Sequence, residues 1–228
     1  MVAPGANPAS PSHPRMPPRE RILAVARELF YRRGIHAVGV DAIAEAAGTN
    51  KMTLYRHFAS KDELVAACLR AFADQVTADW DAIAAAHPGD PKAELTAWLQ
   101  HMGRWFIDEA GRGCALANAA VELPDPNHPA RQVIREHKSA VRERLARLCR
   151  DAGLRDPEAV ASQVFLVCEG ARVASQSLGS DEPLTRVPVL LKDLVGEHAP
   201  HDEAAPGMRP EKVSPDLTAP IPDTLLQE

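Results

Sequence analysis

Between Gly39 and Phe58 the chain runs GVDAIAEAAGTNKMTLYRHF, and its last stretch gathers Asn50, Lys51, Thr53, Tyr55, Arg56 and His57 within eight residues. Amide, ammonium, hydroxyl, phenol, guanidinium and imidazole groups are the side chains that donate to phosphate oxygens and reach base edges. Leu54 and Phe58, four apart, supply an apolar side on which such a helix can sit. The set is therefore polar and basic outward, apolar inward, and sized for the major groove of double-stranded DNA.

Presenting it requires particular elements. Asp41–Ala47 is amphipathic through Ile43, Ala44 and Ala47, and stops at Gly48; a second short helix starts after Asn50, a good N-cap. This is the sequence form of a helix-turn-helix. Ala44 faces the second helix, where a larger side chain would push the pair apart, and Gly48 can take the left-handed conformation of the turn. An ordinary helical hairpin shares the Ala/Gly spacing, but not the basic front end, the Asn50 cap or the aromatic-basic run. Before the motif, Ile22, Ala26, Leu29 and Phe30 predict a helix over 18–33 that stops at Gly34. After it, Ser60 caps a long helix with Asp62 and Glu63 in its first turn, reaching Ala86.

The remaining punctuation is equally regular. Asp90-Pro91 opens a helix ending near 111–113, and Cys114–Leu123 forms a short one. Pro129 opens the next, to Gly153; Asp156-Pro157 opens an apolar one to Leu178, and the last covers about 184–196. No strand-like alternation competes. The fold class is all-α, about nine helices: a three-helix DNA-binding head and a helical body.

The run from Arg21 to Phe72 resembles the DNA-binding domain of the TetR family of transcriptional regulators. The residues carrying the resemblance are Ala26, Phe30, Gly34, Val40, Ile43-Ala44, Ala47-Gly48, Thr53-Leu54-Tyr55, His57-Phe58, Lys61 and Leu64. It implies a homodimer in which each subunit has such a head and a ligand-binding, dimerising body. It also implies that Tyr55 and His57 touch phosphates, that Thr53 and the side chains near Lys51 reach bases or backbone, and that Lys61 anchors a phosphate. Position 39 departs from the pattern: the family often has Ser or Thr there, and Gly39 lacks the hydroxyl. Weaker anchoring is expected at that point, not loss of binding.

The body's chemistry is less specific. Trp98, Met102, Trp105 and Phe106 share one helix near a short Ala-rich helix carrying Asn118 and Glu122. Such a stripe reads as ordinary core or as the wall of an effector pocket between the fifth to eighth helices, with Asn118, Glu122, His137, Phe165 and Glu169 as candidate lining. Cys114, after Arg112 at the start of a short helix, reads as a buried small thiol or as an oxidant- or electrophile-sensing one. Gly170, Ala171, Ala174 and Ser175, with Leu190, Leu191 and Leu194, are candidates for a four-helix dimer interface or for packing within one subunit.

Charge and proline placement bound the rest. Of 228 residues, 26 are Lys or Arg and 31 Asp or Glu, a net charge of −5. Residues 1–60 carry 8 positive and 4 negative charges, whereas 197–228 carry 2 and 7. Prolines number 6 in 1–18, 6 in 199–228 and 8 between, so the ends read as disordered tails. The expected domains are thus 1–18 (arm), 19–64 (head), 65–198 (effector-binding and dimerising body) and 199–228 (acidic tail). No segment has the roughly 18 apolar residues of a membrane span, and no secretory leader is evident. Four scattered cysteines without a C-x-x-C pair fit a reduced cytoplasm.

No hydrolase, P-loop or dinucleotide fingerprint occurs, and no cluster has metal-ligand spacing, so neither an enzyme nor a metal or cofactor is expected. The reading is a DNA-binding regulator, a repressor before an activator, that a small molecule releases from its operator. The alternatives are a helical small-molecule-binding protein, or a thiol-based sensor acting through Cys114.

Overall fold

The computed structural model describes residues 16–108 and 113–199. Within them the chain forms α1 (Pro18–Arg33), α2 (Val40–Ala46), α3 (Lys51–His57), α4 (Lys61–Ala86), α5 (Pro91–Asp108), α6 (Ala115–Glu122), α7 (Pro129–Asp151), α8 (Pro157–Leu178) and α9 (Glu182–Glu197). The all-α expectation holds, and each helix begins and ends within a few residues of its sequence signals. The disordered arm and tail expected at 1–18 and 199–228 fall almost wholly outside the described residues.

Local chemistry accounts for the boundaries. The Asn50 carboxamide oxygen accepts from the Thr53 N–H at 2.9 Å and opens α3, and the Ser60 hydroxyl accepts from the Glu63 N–H at 3.1 Å and opens α4. Gly39 opens α2 with no side-chain cap. The exit from α2 is a Schellman turn: the Thr49 N–H reaches the Ala44 carbonyl at 2.9 Å, the Gly48 N–H reaches Glu45 at 3.0 Å, and Gly48 sits at φ +62°. A side chain with a Cβ would be strained at that φ, so Gly48 fixes the angle between α2 and α3.

The core divides in a way that helix counting does not anticipate. One cluster joins Ile22, Ala26 and Phe30 of α1, Ile43 and Ala44 of α2, Leu54 of α3 and Leu64 of α4 to Leu116, Ala119, Val133 and Ile134 of α6 and α7. A second joins Trp80, Leu95, Trp98, Leu145, Val164, Leu184, Val187 and Leu191 of α4, α5, α7, α8 and α9. The helix-turn-helix thus shares its core with α6 and the start of α7. In the second cluster, a Cβ on Gly103 of α5 would lie 2.8 Å from the Pro188 ring carbon, so the absent side chain lets α9 press against α5.

Candidate DNA-binding surface and the cavities behind it

Leu54 and Phe58 are buried on the inner side of α3, at 0% and 4% exposure. The 3.6-residue period then turns Lys51, Met52, Tyr55 and Arg56 outward. Asn50 is exposed as well, whereas Thr53 and His57 are half-buried at the edges of the face. The Lys51 ammonium lies 3.2 Å from the Asp41 carboxylate of α2 in an exposed pair. The His57 Nε2 is enclosed and makes no hydrogen bond among the described residues, an orphaned donor or acceptor at the rim of the face. Arg19 lies with its guanidinium 5.2 Å from the Phe58 ring centroid, so α1 lends a further cation to the same side.

Lys61 is placed differently from what the resemblance implies. Its ammonium is part-buried and donates to the Ile35 carbonyl at 2.6 Å, near the face of Phe30. In this conformation it ties the start of α4 to the α1–α2 loop.

That loop is held from the other side too. The Glu122 carboxylate, at the end of α6, accepts from the Ile35 N–H at 2.6 Å and the His36 N–H at 3.3 Å. The His36 ring Nε2 lies 2.7 Å from the Glu122 carbonyl oxygen. Nearby, the Tyr31 hydroxyl donates to the Gly113 carbonyl at 3.1 Å. The end of α6 is thereby latched to the head by three hydrogen bonds of Glu122, and the residues just before α6 by a fourth at Gly113, across sequence gaps that no local periodicity reveals.

The residues expected to line one effector pocket separate into two. Trp98, Met102, His137, Phe165 and Glu169 line a cavity of about 70 Å³ enclosed by α4, α5, α6, α7 and α8. Asn118 and Glu122 instead line a crevice of about 330 Å³ between α1, α4 and α6. The reason is helical phase: α6 turns these polar residues toward α1, while Leu116 packs into the core it shares with the head and also borders the body cavity. Trp105 and Phe106 lie on α5, but their side chains fall outside the described residues, as does Arg112.

The body cavity contains a cluster that the sequence did not advertise. Lys138 donates to Glu169 at 2.5 Å, lies 5.5 Å from the Phe165 ring centroid and is 3.7 Å from the Cys114 sulfur. Arg172 lies 3.9 Å from the same carboxylate. Burial, reinforced by the Lys138 charge, holds the His137 imidazole below its usual 6.5. Burial pushes Cys68 and Cys168 up to about 12 and Cys149 to about 11, so these three are poor nucleophiles. Cys114 is buried as the N-cap residue of α6, one position before the helix begins. No group of three or more metal-ligating side chains occurs among the described residues.

The head geometry, a capped short helix with a basic outer face crossing α2 at a glycine turn, is that of a helix-turn-helix. Comparison with known proteins agrees. Residues 22–68 match the model of bacterial regulatory proteins of the tetR family, and residues 91–189 match the tetracyclin repressor-like C-terminal domain. The transcriptional activator FasR of Mycolicibacterium smegmatis is 31% identical over 76% of this chain and 78% of its own length. The chain belongs to the TetR family. It is a DNA-binding transcriptional regulator and not an enzyme. The repressor KstR2 of Mycobacterium tuberculosis is 45% identical over 25% of this chain and 28% of its own. The solved TetR-family regulator SCO4454 of Streptomyces coelicolor superposes with a TM-score of 0.74 at 27% identity, covering 80% of this chain and 96% of that one.

Against the TetR frame, the far end of the body is informative. Leu166 and Val173 of α8 are 66% and 57% exposed, with exposed Gly170 between them at helical spacing. Val189 and Leu190 of α9 are exposed too, at 57% and 51%. Two of the expected interface residues sit otherwise: Leu191 is fully buried in its own subunit, and Leu194 is half-buried against the same core. No helix among the described residues is long and apolar enough to cross a membrane.

Proposed function

We propose that this TetR-family regulator is a cytoplasmic homodimeric repressor that a small molecule releases from its operator. The observation that carries the reading is the outward face of α3. Lys51, Tyr55 and Arg56 are exposed together on a helix whose inner side is locked by Leu54 and Phe58. α3 enters the major groove. Tyr55 and His57 donate to phosphates, Lys51 and Thr53 reach base edges or backbone, and Asn50 holds the helix start while contacting the strand beside it. The orphaned His57 Nε2 acquires a partner when phosphate arrives. Lys61 acts through its tie to Ile35 and, once that loop opens, as a phosphate anchor.

The head, 19–64, delivers binding, and the body, 65–198, delivers dimerisation and response. The stripe of Leu166, Gly170 and Val173 with Leu190 is an apolar face of the kind that self-complementary dimers bury. The body cavity takes an effector, with Trp98, Met102 and Phe165 as apolar wall and His137 and Glu169 as polar contacts. Expansion from its closed volume displaces α6, whose end is latched to the head, so occupied and empty states differ in the spacing of the two heads. A dimer clamped on a promoter occludes polymerase without further machinery, which favours repression.

A second reading has one observation in its favour. The Lys138 ammonium lies 3.7 Å from the Cys114 sulfur, so a cation stands beside the thiol that a sensor of oxidants or electrophiles would use. Gel shifts with DNA from upstream of the gene test both. Release by a small molecule supports the first reading. Release by peroxide that Cys114→Ser abolishes supports the second.

A further inference from the structure

The larger of the two cavities described above is not in the body. The crevice between α1, α4 and α6 has a volume of about 330 Å³, against about 70 Å³ for the body cavity. Small-molecule sites span about 300–1,000 Å³, so the crevice accepts a ligand as it stands, whereas the body cavity must first open. Its floor is apolar: Phe30, Leu69, Phe72 and Ala119.

Three charged side chains line it, Arg27, Glu28 and Glu122. Glu28 is paired with Arg32 along α1. Arg27 lies two helical turns before the α1–α2 loop, about 10 Å along the axis from the Glu122 end. Glu122 is half-buried and has no cation within ion-pairing distance among the described residues. Among the described residues its carboxylate is held only by the neutral N–H groups of Ile35 and His36. A carboxylate at the rim of an apolar crevice, satisfied by amides alone, is a receptor for an ammonium group.

We propose that this head–body crevice is a binding site for an apolar amine. The hydrophobic body of the ligand lies on Phe30, Phe72 and Ala119, and its ammonium donates to Glu122. The new ion pair draws the carboxylate from the Ile35 and His36 amides and slackens the latch on the head. The binding claim stands independently of the regulatory reading; only the effect on DNA rests on it.

Calorimetric titration of the full chain with 1-naphthylmethylamine, 1-naphthalenemethanol and 1-naphthoate tests the site, since the three share a skeleton and differ in charge. The ammonium probe should bind at least about ten-fold tighter than the alcohol, as expected of a hydrogen bond to a charged group, and the carboxylate weakest. Glu122→Gln should remove that preference while leaving the alcohol unchanged. Ala115→Trp, which fills the crevice, should abolish binding of all three. Met102→Phe, which fills the body cavity, should leave all three as in the wild type. Variants are compared only where circular dichroism gives the wild-type spectrum. Equal affinity for the three probes, absence of ammonium binding, or loss in Met102→Phe with retention in Ala115→Trp would each overturn the proposal. A gel shift with saturating amine then reads the coupling separately.

Discussion

Arg56 projects from the exposed side of α3 without an ion-pair partner among the described residues, so its charge is available to a phosphate. Arg56→Ala should lower affinity about evenly across DNA sequences and flatten the plot of log K against log salt by about one unit. An unchanged slope in gel shifts over a salt series would remove Arg56 from the interface. Lys61 differs because its ammonium already serves Ile35. Glu122 secures the same loop, and a hydrogen bond to a charged group is worth about 1.5–3 kcal/mol. Glu122→Ala should therefore cost about that much in urea unfolding; a loss below about 0.5 kcal/mol would mean that solvent replaces the latch. His137 gives a pH signature. Its folded value lies below 6.5, so below that pH the unfolded chain binds more protons than the native one. Stability is complete above the unfolded value and is lost as pH falls through it. His137→Phe should flatten the fall in melting temperature between pH about 7 and about 5; an equal fall in both proteins would exclude this histidine as a cause. Which side chains of α3 face outward and which inward was legible because an apolar period and a cap specify both faces of a seven-residue helix. Glu122 was legible only as a polar residue needing a partner, since Ile35 lies far from it in sequence and nothing local names the pair.

At the level of helices, caps and breakers account for nearly every boundary. Asn50, Ser60, Gly48, Pro129 and Pro157 each act through a local backbone preference that tertiary packing does not override. What they leave open is which helices pack together. α6 joins the core of the head because Leu116 and Ala119 point into it while Asn118 and Glu122 face α1. Its eight residues are too few for periodicity to choose between those partners. The exposed faces of α8 and α9 carry the next prediction. Val173→Glu on α8 should convert a dimer to a monomer by light scattering and abolish tight operator binding, with the helical spectrum preserved. A Val173→Glu variant that remains dimeric would place the interface elsewhere. Leu54→Ala should destabilise the head by about 2–5 kcal/mol, since a fully buried side chain leaves a cavity between α1 and α3.

For the whole molecule, the net −5 would argue against a nucleic-acid partner if spread evenly. It is not spread evenly: basic groups gather in the first 60 residues and acidic ones in the last 32, so the head meets DNA with a favourable field. The shared core of head, α6 and α7 makes the latch a mechanical link as well as a contact. Under the proposed function, an event in the body or the crevice would pass to α3 through Glu122, Ile35 and Lys61. The proposed regulation depends on α3 reading DNA as one of a pair. The direct test is a footprint of the purified chain on its own upstream region, run beside Arg56→Ala. The expected result is protection of two inverted half-sites about one helical turn (~10 bp), or a multiple, apart, weakened by salt and by the substitution. Protection without sequence preference, or a footprint that Arg56→Ala leaves unaltered, would contradict it.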